Sequence, residues 1–356
     1  MQPNINLTLI IVFMLGVVLL LSLATIYLIQ HYYRKMKTLF DIPTPDDESP
    51  MDIPIHEENS KEENEPVQGD AVFGMASDTN RSPEDNQDAC RSKDIPESHI
   101  RVVAIADGIG SSPYAKEGST FVVDTAVDLV SKALAGKNEV PDFRFIFSEI
   151  QSRLKEMIVT RYPTELLSLS ENSFGTTLIV GVDFPDKFVT AYVGNGAIYH
   201  LSGFFAEFPK AICIPWNAVN VLNPHTIPRN GRETLYKFFC YGARPYQYIP
   251  SVIQICKEQR TPGDIFVITT DGIDSADQVT PVIDKKKNIY KPTSRPMDEF
   301  YAYLKQFLQE TEQVSDENLQ TMLQHFLANM KEAEVLDDDS TLGVFISTKA
   351  VEYFQK

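Results

Sequence analysis

Aspartate at the ends of apolar runs is the feature of this sequence with the clearest chemical potential. Val102-Val103-Ala104-Ile105-Ala106 runs straight into Asp107-Gly108, and Phe266-Val267-Ile268-Thr269-Thr270 into Asp271-Gly272. A third acidic group, Asp337-Asp338-Asp339, stands just ahead of Thr341 and the apolar run it opens. A fourth lies in Asn86-Gln87-Asp88-Ala89. One Asp-Gly after a strand is commonly a turn, because Asp accepts a local hydrogen bond and Gly supplies positive φ. Four such groups from separate parts of the chain, all carboxylate, ask for more than turns. Carboxylates, carbonyls and water are the ligand set of hard cations such as Mg²⁺ and Mn²⁺. Like charges gathered on one rim repel unless a cation offsets them.

Residues of this kind need strands to carry them and helices to cover those strands. Strand-like runs occur at 101–106, 177–182, 188–193, 198–201, 264–269 and 341–347. Helix-like runs occur at 116–135, 143–162, 297–310 and 316–333, with Ser315 or Asp316 as the cap of the last. Phe143, Phe145, Ile146 and Ile150 sit at helical spacing and are expected in the core. Strands and helices come in blocks rather than in regular alternation, which predicts an α+β fold with helices packed on antiparallel sheets. The stretch from Gly203 to Pro262 resists assignment and is expected to form a flap beside the acidic groups. Its His225 is expected to be a loop or core histidine.

The chain has 356 residues and a formal charge of −17, which argues against a nucleic-acid partner, since neutralising phosphates needs a Lys and Arg excess. Three regions are expected. Residues 1–40 form an N-terminal anchor with a transmembrane helix at about 7–29, because Leu7 to Ile29 is apolar and uncharged over the length a bilayer requires. Arg34, Lys35 and Lys37 follow it, so the positive-inside bias puts the N-terminus outside and the rest in the cytoplasm. Residues 41–70 form an acidic, Pro-rich linker, too poor in apolar side chains to offset the entropy of ordering. Residues 71–356 form the folded domain that carries the strand-like and helix-like runs. Cys90, Cys213, Cys240 and Cys256 have no Cys-x-x-Cys spacing and read as thiols of a reducing compartment.

Read in order, Asn86-Gln87-Asp88-Ala89, Ala106-Asp107-Gly108-Ile109-Gly110, Gly175-Thr176-Thr177, Val193-Gly194-Asn195-Gly196, Gly263-Asp264 with Thr270-Asp271-Gly272, and Asp338-Asp339-Ser340-Thr341 resemble the ordered motifs of protein phosphatase 2C. The resemblance spans roughly residues 71–348. It implies a sandwich of two antiparallel β-sheets flanked by α-helices, with two Mn²⁺ or Mg²⁺ ions in a cleft at one edge. It also implies hydrolysis of phosphoserine and phosphothreonine in protein substrates. Asp107 would bridge the cations and the Gly108 carbonyl would bind one. Asp271 and Asp338 would hold the other, and Asp88 would act as a ligand or orient water. Asp107 and Asp271 are thus the expected catalytic pair, and Arg81 is the candidate for the substrate phosphate. Arg81 lies further upstream of Asp88 than the family spacing, and an alternative register uses Glu84-Asp85 as the acidic pair. Asn195 and Ser275 stand where relatives often carry aspartate, which puts a third cation site in doubt and motivates a rival reading as a phosphatase-like membrane scaffold that captures phosphoproteins without turnover.

Overall fold

A computed structural model describes residues 71–79, 85–202, 216–229, 232–257, 263–277, 283–284, 289–290, 296–336 and 338–355. The expected anchor and linker lie outside the described residues. Among those described, no helix is long and apolar enough to cross a membrane.

Strands β1 (Val72–Asp78), β2 (Ala89–Ile95) and β3 (Ile100–Ala106) lead into helices α1 (Ala115–Leu134) and α2 (Phe143–Arg161). Strands β4 (Leu178–Asp183), β5 (Lys187–Val193), β6 (Ala197–Ser202) and β7 (Asn217–Asn220) follow. Next come a hairpin of β8 (Thr226–Arg229) and β9 (Arg232–Leu235), the short helix α3 (Pro245–Tyr248) and β10 (Ser251–Cys256). The remainder holds β11 (Asp264–Thr269), α4 (Asp271–Asp277), the small pair β12 (Ile283–Asp284) and β13 (Ile289–Tyr290), α5 (Pro296–Glu310), α6 (Asp316–Glu332), β14 (Ser340–Ile346) and α7 (Thr348–Phe354).

Two antiparallel sheets carry the architecture, ordered β1-β14-β11-β6-β7 and β10-β5-β4-β3-β2. Alternate residues of each strand serve opposite faces. On β3, Val103 and Ile105 enter the layer between the sheets, where Phe73, Phe188, Phe266 and Phe345 also meet. Val102, Ala104 and Ala106 of the same strand pack with Val123, Val127 and Ile150 of α1 and α2. Val267, Val344 and Ile346 pack on the far side with Phe300, Leu304, Leu323 and Phe326 of α5 and α6. Both faces of both sheets are therefore covered, which is why the central strands are apolar at nearly every position rather than alternating. The result is the expected helix-sheet-sheet-helix sandwich.

Strands β2 and β10 escaped sequence reading for one reason. They are the two outermost strands of one sheet. β2 (ACRSKDI) holds only partly buried or exposed residues, and β10 (SVIQIC) alternates between the two classes, so neither carries an apolar run. Phe145 departs from expectation as well. It is 68% exposed, whereas Phe143, Ile146 and Ile150 are buried. At 3.6 residues per turn it lies about 200° round the helix from Phe143, on the solvent side. Ser315 caps α6 by accepting from the Asn318 N–H. Asp316, the alternative cap, takes the Phe73 N–H at 2.8 Å and the Arg101 guanidinium at 2.8 Å, tying α6 to one strand of each sheet.

Phe266 is stacked on Phe188 at 4.2 Å in the layer between the sheets. Phe266→Ala is expected to lower the unfolding free energy by about 3–5 kcal/mol, as a large unfilled cavity in a two-sided core should. Denaturant titration of both proteins measures it.

Candidate active site

The site grows from the end of β3. The Asp107 N–H donates to Thr177 Oγ1 at 3.0 Å. Its carbonyl accepts from Thr176 Oγ1 at 2.9 Å and from the Thr177 N–H at 2.9 Å. The backbone beneath the Asp107 carboxylate is thus fixed by the segment that opens β4. Next in the chain, the Gly108 N–H donates to the Gln87 carbonyl at 3.2 Å. A side chain here would have its Cβ 2.8 Å from that carbonyl oxygen, so only glycine lets the two segments approach. Ser119 of α1 donates to the same oxygen at 2.6 Å. These bonds bring Asp88 up against Asp107.

The second half comes from the other sheet. β11 and β14 are antiparallel partners with Thr269 opposite Leu342, so the end of one strand meets the start of the other. Thr270 Oγ1 donates to Asp88 Oδ2 at 2.8 Å and accepts from the Thr341 N–H at 2.9 Å. The Gln87 N–H donates to Asp339 Oδ2 at 2.8 Å. Asp271 Oδ2 accepts from Asn195 Nδ2 at 2.6 Å. Asp338 stands exposed at the rim, accepting from the Asp339 N–H through Oδ1. The structure therefore brings Asp88, Asp107, Gly108, Asp271 and Asp338 to one edge of the sandwich, where the two sheets meet.

Electrostatics make this edge tense. Burial and the carboxylates of Asp271, Asp88 and Asp338 hold the Asp107 carboxyl well above its ordinary range. Asp88 is pushed up to about 7 by burial, reinforced by Asp339 and Asp271 and opposed by its hydrogen bonds with Thr341 and Thr270. Burial also raises Asp271, with Asp338 and Asp274 adding to it and the Asn195 hydrogen bond opposing. Asp88 Oδ1 and Asp339 Oδ1 are buried without a hydrogen-bond partner. Unpartnered carboxylate oxygens among mutually repelling acids suit a divalent cation. Among the described residues, no group of three His, Cys, Asp or Glu side chains is already arranged to hold one. Asp88, Asp271 and Asp339 each turn one oxygen to a neutral donor: the Thr270 hydroxyl, the Asn195 amide and the Gln87 N–H.

Other expectations resolve differently. Arg81 and Glu84 lie outside the described residues. Asp85 is exposed, so Asp88 is the buried acid of that segment. Asp339, Thr270 and Asn195 belong to the motifs read from the sequence, but none of the three was assigned a ligand or supporting role there. For Asp339 a signal existed: in neighbouring residues leading into a strand, one side chain turns inward and the other outward, and Asp339 is the inward one.

A cavity of about 670 Å³ adjoins the acids, lined among others by Ile109, Asn195, Leu235, Phe238, Asp271 and Asp274. Residues from the β8–β9 hairpin form one wall, so this part of the unassigned stretch does flank the cleft. His225 is buried and holds the hairpin in place. Its Nδ1 accepts from the Gly194 N–H at 3.1 Å, which leaves the proton on Nε2, 2.8 Å from Ser251 Oγ. Burial, with Lys237 adding to it, pushes this imidazole down to about 4, so it is neutral at pH 7. Cys90, Cys240 and Cys256 are free thiols, and Cys213 lies outside the described residues.

A family model described as protein phosphatase 2C matches residues 79–328. Among solved structures, the chain is similar to a sex-determining protein of C. elegans, with 12% identity, a TM-score of 0.54 and coverage of 81% of this chain and 68% of that one. It is also similar to a bacterial serine phosphatase, with 14% identity, a TM-score of 0.50 and coverage of 78% of this chain and 98% of that one. At these identities the likeness concerns the fold. No curated protein sequence matches the chain.

The raised acids predict an unusual pH dependence. Asp88 keeps its proton in the fold up to about pH 7, whereas the unfolded chain releases it near 3.8. The folded state thus binds more protons in that window, and its stability falls as pH rises from about 4 to about 7. Thermal melting in chelator across this range is expected to show the decline, Asp88→Asn to lessen it, and Mn²⁺ at pH 7 to reverse it. A flat profile would refute the arrangement.

Proposed function

The chain belongs to the protein phosphatase 2C family, and from that premise we propose that it hydrolyses phosphoserine and phosphothreonine in proteins at a site taking two Mn²⁺ or Mg²⁺ ions. The observation that carries this reading is the convergence of buried and partly buried acids from four separate segments on one sandwich edge, with an oxygen of Asp88 and one of Asp339 left unpartnered. Asp88, Asp107, Asp271 and Asp338, with the Gly108 carbonyl, would hold the cations. When bound, such cations supply Lewis acidity, making water easier to deprotonate and offsetting charge on the phosphoryl oxygens.

The chain's own groups position and exclude. Thr270 orients Asp88, and the Thr176-Thr177 pair fixes the backbone of Asp107. Members of the family often place a histidine after Asp-Gly; Ile109 stands there in this chain, so leaving-group protonation would fall to water. The cleft beside Asp271 has an apolar part, Ile109, Leu235 and Phe238, against which the carbon skeleton of a phosphorylated segment can lie, and hydroxyl groups of Ser111 and Thr226 nearby. Arg81 would contact the substrate phosphate.

The same proposal includes location. Residues 1–40 would anchor the protein by a single span at about 7–29, residues 41–70 would tether it, and the catalytic domain 71–356 would work at the cytoplasmic face. The uncharged run Leu7–Ile29 and the cationic Arg34, Lys35 and Lys37 support this.

Phosphate release from a phosphothreonine peptide by the full chain, with and without Mn²⁺, tests the activity. Turnover is expected to require the ion. Asp271→Asn should cost more than the about 10–100-fold typical of losing an outer-shell partner. A folded, Mn²⁺-binding chain that releases no phosphate would shift the reading to the phosphoprotein-capturing scaffold.

A further inference from the structure

The turn between β5 and β6 is Gly194-Asn195-Gly196, and nearly everything around it serves one side chain. Both glycines have positive φ, 108° and 107°. A Cβ on Gly194 would stand 2.5 Å from Thr177 Cγ2, and one on Gly196 would collide with the Thr269 carbonyl oxygen. His225 grips the turn from both sides: its Nδ1 takes the Gly194 N–H and its own N–H donates to the Gly194 carbonyl at 2.9 Å. An asparagine between glycines suits a tight hairpin by itself, and there its side chain usually bonds to the nearby backbone. Here it does something else. Nδ2 reaches Asp271 Oδ2, 76 positions away in the chain, at 2.6 Å, and Oδ1 is buried with no partner. An ionised carboxylate only accepts, so the amide nitrogen must be the atom that faces Asp271.

We infer that Asn195 is a positioning residue for Asp271, an amide clamp that fixes the carboxylate in one orientation and keeps it apart from the other acids, ready for a cation. The inference rests on the reading of Asp271 as a cation ligand. A hydrogen-bonded ligating carboxylate is pre-set for its metal, and loss of such an outer partner typically weakens metal affinity by about 10–100-fold. A neutral amide also does what an aspartate at this point could not. A carboxylate 2.6 Å from Asp271 would repel it until a cation came between them.

Calorimetric titration of the full chain with Mn²⁺ tests this, alongside thermal melting in chelator. Asn195→Ala is expected to bind Mn²⁺ about 10–100-fold more weakly, with turnover largely restored by saturating Mn²⁺. Asn195→Asp is expected to melt lower in chelator and to gain more from Mn²⁺ than the unaltered chain does. Unchanged Mn²⁺ affinity in Asn195→Ala overturns the clamp, as does a melting change in that variant with no affinity change, which would mark a turn residue only. An Asn195→Asp variant that gains no more from Mn²⁺ than the unaltered chain also overturns it. An unaltered chain that binds no Mn²⁺ overturns both the clamp and the two-cation reading. One that binds Mn²⁺ without releasing phosphate overturns the phosphatase reading alone.

Discussion

Mutual repulsion among buried and partly buried carboxylates is the constraint around which this fold is arranged. Asp88, Asp107 and Asp271 are all held above their ordinary range, each chiefly by burial and then by the charges of its neighbours. No isolated segment would adopt such an arrangement, because each acid added makes the next more costly. The surrounding structure has to impose it. Strand pairing and backbone bonds do so at Asp107, threonine hydroxyls at Asp88, and a side-chain amide at Asp271.

What makes the imposition affordable is the two-sided core. Each central strand is covered on both faces, by aromatic side chains between the sheets and by helices outside. A strand held in this way presents its terminal residue in one place, and the acids occupy such termini: Asp107 after β3, Asp271 after β11, Asp339 before β14. The sandwich edge is where strands of two sheets end side by side, so it is also where segments remote in sequence can share one cluster.

The same logic explains how much was legible beforehand. Central strands and long helices were readable because burial on both faces, or along one helical stripe, leaves continuous or periodic apolar runs. Outer strands β2 and β10 were not, since partial exposure removes that run. Phe145 misled because its type suits a core while its angular position on α2 does not. At the site, acids were visible as residue types at strand ends. Their supports were less so: Thr270 looks like one more strand residue, and Asn195 like a turn former until its distance to Asp271 is known. Contacts between residues 76 and 182 positions apart leave no periodicity to read.

One bond far from the acids has a mechanical meaning. Where the described chain begins, Asp316 of α6 holds the Phe73 N–H and at the same time the Arg101 guanidinium, which also pairs with Asp94 and lies over the Phe73 ring at 5.2 Å. β1 then runs its seven residues, about 20 Å, to Ser77 and Asp78 beside the site. Ser77 Oγ there meets Thr341 Oγ1 at 2.8 Å. A pull on the chain from the N-terminal side would therefore meet the Arg101 bond to the Ala71 carbonyl, the first β1–β14 pairs and the clasp at Phe73 together. The charged knot spanning β1, β3 and α6 sits at that end, and from it to the far end β1 is paired with β14 at every residue. A load at residue 71 would reach the acid-bearing edge only through the length of one paired strand.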